Sequence, residues 1–209
     1  ECGGSDALSG ITANPAIGYV SDWVVANGGT VLLSEVAEMI GTEDILAARA
    51  VTPEVGTKIR RMIEKEELEV RKYLGPEASR IIARGNMEGG LTTIQEKALG
   101  CIRKGGTSTI MDVIEYAEPI GERKGLVIMH GPGYDPVSLT GLFATGAQVF
   151  LFSTGRGNPL GYPVAPCIKI CSNSETYYRV GGENGDIDIN AGAVITEGMT
   201  PEELGEHCI

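Results

Sequence analysis

TIMDVIEYAEPIGERKGLVIMHGPGYDPVSLTGLFATGAQVFLFS, residues 109 to 153, decides how this chain folds. It carries three apolar, β-branched runs: Thr109 to Ile114, Leu126 to Met129 and Gln148 to Ser153. A helical segment from Val137 to Thr145 separates the second run from the third. The runs stay apolar instead of alternating with polar residues, the pattern of strands buried on both faces.

Strand, helix and strand in that order predict a three-layer α/β fold, a mostly parallel, Rossmann-like sheet with helices on both faces. Further along, Cys167 to Cys171 reads as another strand, and the polar, Gly-rich stretch Gly181 to Gly192 as a surface loop or edge strand. Upstream, Asn14 and Pro15 read as N-cap and N1 of a helix through Ile17, Val20, Trp23, Val24 and Val25 that stops at Gly28 and Gly29. A buried strand, Thr30 to Ser34, follows. Glu43 to Leu74 is mostly helical, restarted at Pro53, with Ile59, Met62 and Ile63 inward and Glu, Lys and Arg outward. Gly85 to Gly90 reads as a loop, and Thr93 with Glu96 as a capping box opening a helix to about Arg103.

The length of 209 residues suits a single α/β domain, 1–209. The first residue is Glu1 rather than Met. A strong helix start at Thr200, Pro201 and Glu203 is followed by the last residue, Ile209, barely two turns later. Both ends lead to the expectation of a fragment cut from a longer polypeptide. With 17 Lys plus Arg against 28 Asp plus Glu the net charge is -11, which repels phosphate backbones and anionic lipid, so neither nucleic acid nor membrane is an expected partner. Five Cys without a signal peptide fit thiols in a reducing cytoplasm. Glycine, 30 of 209 or about 14% against the usual ~7%, points to tight turns and to loops that hold a ligand by backbone amides.

Ligands of α/β sheets bind at the carboxyl ends of strands, so the residues there are the candidates. They are Glu35, His130 before GPG, Thr154-Gly155-Arg156-Gly157, and Ser172-Asn173-Ser174. Arg156 between two glycines offers an open fork suited to clamping a carboxylate. GNMEGGLTTIQEK joins Asn86, Gly89 and Gly90 to a helix start that favours an anion, with Lys97 at the end of the first turn. It lacks the Walker order, and GRGNPLGYP lacks the dinucleotide fingerprint, so no nucleotide cofactor is expected. Cys2 on a glycine turn reads as nucleophile or metal ligand, in a partial shell with Glu35 that another domain would complete. His130 reads equally as loop packing or as a general acid or base.

In order along the chain, ECGGSDALSGITANPAIG, GGTVLLSE, GNMEGGLTTIQEKALGCIRKGG and TGRGNPLGYPVAPCIKICSNSE resemble the galactarate dehydratase and altronate hydrolase family, over nearly the whole chain and as its carboxy-terminal domain. The resemblance implies a hydro-lyase that dehydrates a sugar acid by metal-assisted β-elimination next to the carboxylate, with iron(II) as the divalent metal. The implied partners are a small organic acid, the remaining domains of the same enzyme, and further copies in a homo-oligomer. From residue chemistry, substrate binding falls to Arg156, Thr154, Gly155, Asn86, Gly89, Gly90 and Asn173. Proton transfer falls to Lys97 or His130, and metal ligation to Cys2, Asp6 and Glu35. The loop HGPGYDP departs from the family's usual sequence there, which leaves sulfolactate sulfo-lyase, a carbon-sulfur lyase with the same domain, as an alternative. A structural or interface domain, inactive when isolated, is another.

Overall fold

The computed structural model describes residues 4–75 and 82–209. Six strands, β1 (Thr30–Leu33), β2 (Ile110–Ile114), β3 (Gly125–Met129), β4 (Phe150–Thr154), β5 (Cys167–Cys171) and β6 (Ile189–Asn190), all pair in parallel. They divide into two three-stranded sheets, ordered β1-β3-β2 and β4-β5-β6. β3 explains its own apolar sequence: every residue of it is buried. Leu126 and Ile128 face one core cluster with Ile59 and Ile63, while Val127 and Met129 face a second with Leu139, Phe150 and Phe152. Each such side chain withdrawn from water contributes about 1.5–3 kcal/mol, so a polar residue on either face of β3 is costly.

The helices are α1 (Ala13–Ala26), α2 (Glu43–Ala47), α3 (Pro53–Leu74), α4 (Arg84–Glu88), α5 (Ile94–Cys101), α6 (Asp135–Thr145), α7 (Ser174–Val180), α8 (Ala193–Thr196) and α9 (Pro201–His207). α3 starts as its sequence dictates, Thr52 accepting from the Val55 amide with Pro53 in the first turn. Two sequence expectations need correction. Asn14 is not a cap: Thr12 occupies that position, and Asn14 sits inside α1, donating to the Gly100 carbonyl at 3.0 Å and accepting from Ser153 at 2.9 Å. Gly85 to Gly90 is not simply a loop, because Arg84–Glu88 closes a helical turn bridged by the Arg84–Glu88 ion pair.

The Thr93 cap is present, but Glu96 reaches past it to the amide and hydroxyl of Thr92, 2.8 and 2.6 Å away. α9 has the full capping box at Thr200 and Glu203, and Leu204 is buried in a third cluster with Ala13, Ala16 and Ile17. Packing on α1 is what sustains so short a helix. Among the described residues no helix is long and apolar enough to cross a membrane.

Candidate functional site

β1 ends in a conformation that costs energy. Glu35 has φ 66° and ψ 60°, the left-handed region, at a cost of about 1–2 kcal/mol for a non-glycine residue. It starts a 3-10 turn, Val36–Met39, pinned by the Val36 amide on the Gly131 carbonyl at 3.0 Å. Such strain marks a residue whose placement is over-determined by its surroundings. The surroundings are charged. Lys104, in the turn after α5, meets the Glu35 carboxylate at 3.0 Å, with both side chains at most 5% exposed. Glu38, on the same turn as Glu35, meets Lys97 of α5 at 2.5 Å and accepts from the Cys101 thiol at 3.0 Å. Burial, then the adjacent Glu38 charge, pushes the Cys101 thiol well above its ordinary value, so it stays protonated. Two carboxylates against two ammonium groups make a neutral buried array, the arrangement that removes charge from water at least cost.

A polar thread leads outward from Lys97. Its ammonium donates to Asn86 at 3.3 Å, and Asn86 donates to the Ser5 carbonyl at 3.3 Å. The Ser5 hydroxyl accepts from the Gly155 amide at 2.5 Å. Beside it, Asp6 accepts from the amide and hydroxyl of Ser9 and from the side chains of Ser172 and Asn173. Gly155 passes so close to this carboxylate that an added Cβ would lie within 2.9 Å of both oxygens, so only glycine fits. Of these, Asp6 and Gly155 border a groove of about 850 Å³ that Gly89, Gly90, Arg156, Asn173, Thr176 and Arg179 also line; Lys97, Asn86 and Ser5 are not in its wall. Arg156 is more than half exposed there and donates to the Gly85 carbonyl and Glu88.

The expected residues therefore separate. Lys97 and Glu35 share the buried array, whereas Arg156, Gly155, Asn173, Gly89 and Gly90 share the groove, with Asn86 between the two. A single cationic pocket uniting Arg156, Lys97 and Glu35 is not what forms: the array is neutral and Arg156 is spent on α4. Thr154 is buried, its hydroxyl accepting from the Gly157 amide. The amides of Asn86, Met87, Gly89 and Gly90 are satisfied by carbonyls at positions 83, 85 and 87, so they are committed within the α4 turn instead of awaiting an anion. His130 faces Glu66 at 3.2 Å and Glu115 at 3.4 Å, and these interactions, the Glu66 one first, raise its pKa. Its own loop nevertheless touches the array, since Gly131 and Gly133 back against Ser34, Ala37 and Glu38.

Sequence reasoning passed over Glu38, Cys101, Lys104 and Arg179. Glu38 carried a signal, standing three residues from Glu35 on one turn, and Lys104 lay in the quoted CIRKGG; their partners are far away in sequence. Of the expected metal ligands, Cys2 lies outside the described residues. Asp6 is held by four donors and Glu35 by Lys104, in different hydrogen-bond groups. Among the described residues no three His, Cys, Asp or Glu gather as a metal shell. The described donors thus do not fit an iron(II) centre by themselves.

All of residues 1–209 match the family model described as D-galactarate/Altronate dehydratase, C-terminal. The chain is 41% identical over 202 residues to the altronate dehydratase of Bacillus subtilis, covering 97% of this chain and 39% of that protein. It is 41% identical over 208 residues to the galactarate dehydratase (L-threo-forming) of Escherichia coli, covering 98% and 38%. Against the (2R)-sulfolactate sulfo-lyase subunit beta of Chromohalobacter salexigens the identity is 34% over 212 residues, covering 100% and 53%. The chain thus spans about two fifths of the length of the dehydratases it matches.

Proposed function

The chain belongs to the D-galactarate/altronate dehydratase carboxy-terminal family, and from that premise we propose that it supplies proton-handling and acid-binding side chains to a hydro-lyase of sugar acids such as altronate or galactarate. The observation that carries the proposal is the buried Glu35–Lys104 and Glu38–Lys97 array, anchored on a strained residue at the carboxyl end of β1. Dehydration removes the proton next to the carboxylate and then the hydroxyl on the following carbon, leaving an enol that becomes a 2-keto-3-deoxy acid. A base must accept the first proton, an acid must protonate the departing hydroxyl, and cationic or hydrogen-bonding groups must hold the charge that builds on the carboxylate.

Lys97 suits proton transfer. It is the member of the array nearest the groove along the Asn86 thread, 15% exposed against 5% for Lys104, and Glu38 beside it can receive or return its proton. Arg156, released from Glu88, and Asn173 suit the substrate carboxylate at the groove. Lys104 holds Glu35, and so the turn that carries Glu38, in place. Where iron(II) serves the reaction, as the family resemblance implies, most of its donors come from outside these side chains, and no step here runs through it. The higher identity to the dehydratases than to the sulfo-lyase favours loss of water over loss of sulfite.

The test is an anaerobic assay of an active enzyme carrying this domain, with ferrous iron and with altronate, galactarate or sulfolactate as substrate. Formation of a 2-keto-3-deoxy acid from one of the sugar acids is expected. Sulfite release from sulfolactate with no sugar-acid turnover would replace this reading with the sulfo-lyase one.

A further inference from the structure

Arg156, the side chain assigned above to the substrate carboxylate, stands on a loop whose backbone is held on both sides of it. Before it, the Gly155 amide donates to the Ser5 hydroxyl at 2.5 Å, and the Gly155 carbonyl accepts from Asn173 at 2.7 Å and from Thr176 at 3.0 Å. After it, the Gly157 amide donates to the Thr154 hydroxyl at 3.2 Å. Asn158 closes the turn with both polar atoms of its side chain engaged. Its Oδ1 accepts from the Leu160 amide at 2.9 Å and its Nδ2 donates to Asp135 at 2.6 Å. The Asn158 carbonyl accepts from Lys169 at 3.3 Å. Lys169 stands in the middle of β5, 7% exposed, and that carbonyl is the one hydrogen-bond partner of its ammonium among the described residues. Buried ammonium groups are ordinarily paired with a carboxylate, because a single neutral acceptor does not offset the loss of water. A charge kept in such surroundings marks a place where the fold serves something besides stability. At the other end, Asp135 opens α6 and closes the loop His130 to Tyr134, whose Gly131 carbonyl holds the Val36 amide beside the buried array. Among the described residues of the groove wall, none comes from 130–135.

We propose that Asn158, braced by Lys169 on one side and Asp135 on the other, is a positioning residue for Arg156: it fixes the loop from which the guanidinium reaches the substrate carboxylate. The inference rests on the reading of Arg156 given above and adds to it how the arginine is aimed. A guanidinium grips a carboxylate through two parallel N–H···O bonds only when its plane is set. Arg156 is long and more than half exposed, so its own packing does little to set that plane, and the rigidity has to come from the backbone beneath it. The brace also gives the HGPGYDP loop a route to the groove. That loop touches the array at Gly131 and Gly133 and the Arg156 loop through Asp135, so a change in it shifts the arginine without touching the acid.

The experiment is steady-state kinetics of an active dehydratase carrying this domain. Asn158→Asp keeps the side-chain shape and the acceptor for Leu160, but it turns the donor facing Asp135 into a second carboxylate, and like charges that close repel. KM for the sugar acid is expected to rise about tenfold while kcat changes less than about threefold, the mark of lost binding that ground state and transition state share. Adding Asp135→Asn again sets one donor against one acceptor, and should return KM to within about threefold of the wild type. In an Arg156→Ala enzyme, whose own KM is raised, Asn158→Asp should raise KM no further, because the group it positions is gone. Lys169→Met should show the same pattern, and takes the place of Asn158→Asp in the cycle should that variant not fold. A brace that is only structural lowers the melting temperature and the active fraction while leaving KM alone. Unchanged KM in Asn158→Asp or its replacement, or a rise by the same factor with and without Arg156, overturns the inference. An Arg156→Ala enzyme with unchanged KM removes the reading of Arg156 itself, and the inference with it; a raised KM there beside an unchanged one in the Asn158 variant removes the positioning alone.

Discussion

Replacing Lys104 with methionine removes the cation that meets Glu35 while keeping most of the side-chain volume. Both members of this pair are buried, at 5% and 3% side-chain exposure, so water does little to screen the carboxylate left behind. Breaking a buried pair from one side costs about 3–5 kcal/mol. In a chain of this size 1 kcal/mol moves the melting temperature by about 2–4 °C, so the variant is expected to melt roughly 6–20 °C lower. Removing both charges in Glu35→Gln/Lys104→Met relieves the unpaired carboxylate, and the double variant should recover about 2 kcal/mol or more of the single-variant loss. Urea unfolding at pH 7.5 of the wild type, both single variants and the double variant closes the cycle. A Lys104→Met loss below about 1 kcal/mol, with singles that simply add, would refute a coupled buried array.

Other consequences are independent of that cycle. The His130 pKa is raised, so its contribution to stability is complete below the unfolded value of about 6.5 and is lost as pH rises through the folded value. Glu66→Gln should therefore cost about 1 kcal/mol at pH 5.5 and almost nothing at pH 9, read as urea midpoints. Asp22 behaves in the opposite sense: burial pushes its carboxyl up, but donors from Ser108 and Thr107 outweigh this and hold it low. Its contribution is present above the unfolded value of about 3.9 and fades as pH falls through the folded one, so Asp22→Asn should lower stability at pH 7 by about 1–2 kcal/mol and flatten the acid limb of the pH profile. Asp6→Ala strands the Ser9, Ser172 and Asn173 donors and should cost about 2–3 kcal/mol, with amide shifts concentrated at Gly155 and Asn173.

The strands were legible because their burial is written in local composition. β3 is apolar at every position, and only a strand covered on both faces tolerates that. Thr52 with Pro53, and Thr200 with Glu203, likewise announce their helices within four residues. The division into two sheets could not be read, since which strands become neighbours depends on contacts far apart in sequence. α4 was missed because Gly85 within it and Gly89 and Gly90 just after it argue against helix, and it is closed by the Arg84–Glu88 pair with Arg156, 68 residues from Glu88, bonded alongside. The site was half legible. Glu35 stood out as the polar residue after an apolar run and Lys97 as the cation in the first turn after a glycine-rich loop, but Lys104 lies 69 residues from Glu35, and nothing in CIRKGG says its lysine turns inward. Asp6, expected to hold a metal, turns out to cap the 3-10 helix Ala7–Gly10 and to tie that cap to Ser172 and Asn173 in the loop after β5.

In the proposed function Lys97, linked to the Arg156 groove through Asn86 and Ser5, passes a proton between Glu38 and the bound acid. Steady-state kinetics of Lys97→Met and Arg156→Ala in an active dehydratase carrying this domain test it most directly. Loss of a positioned acid or base lowers kcat by about 10²–10⁴-fold. Lys97→Met should fall in that range with KM and melting temperature little changed, and Arg156→Ala should raise KM more than it lowers kcat. A Lys97→Met enzyme with near-normal kcat across its pH profile would contradict the account and leave the array a structural core.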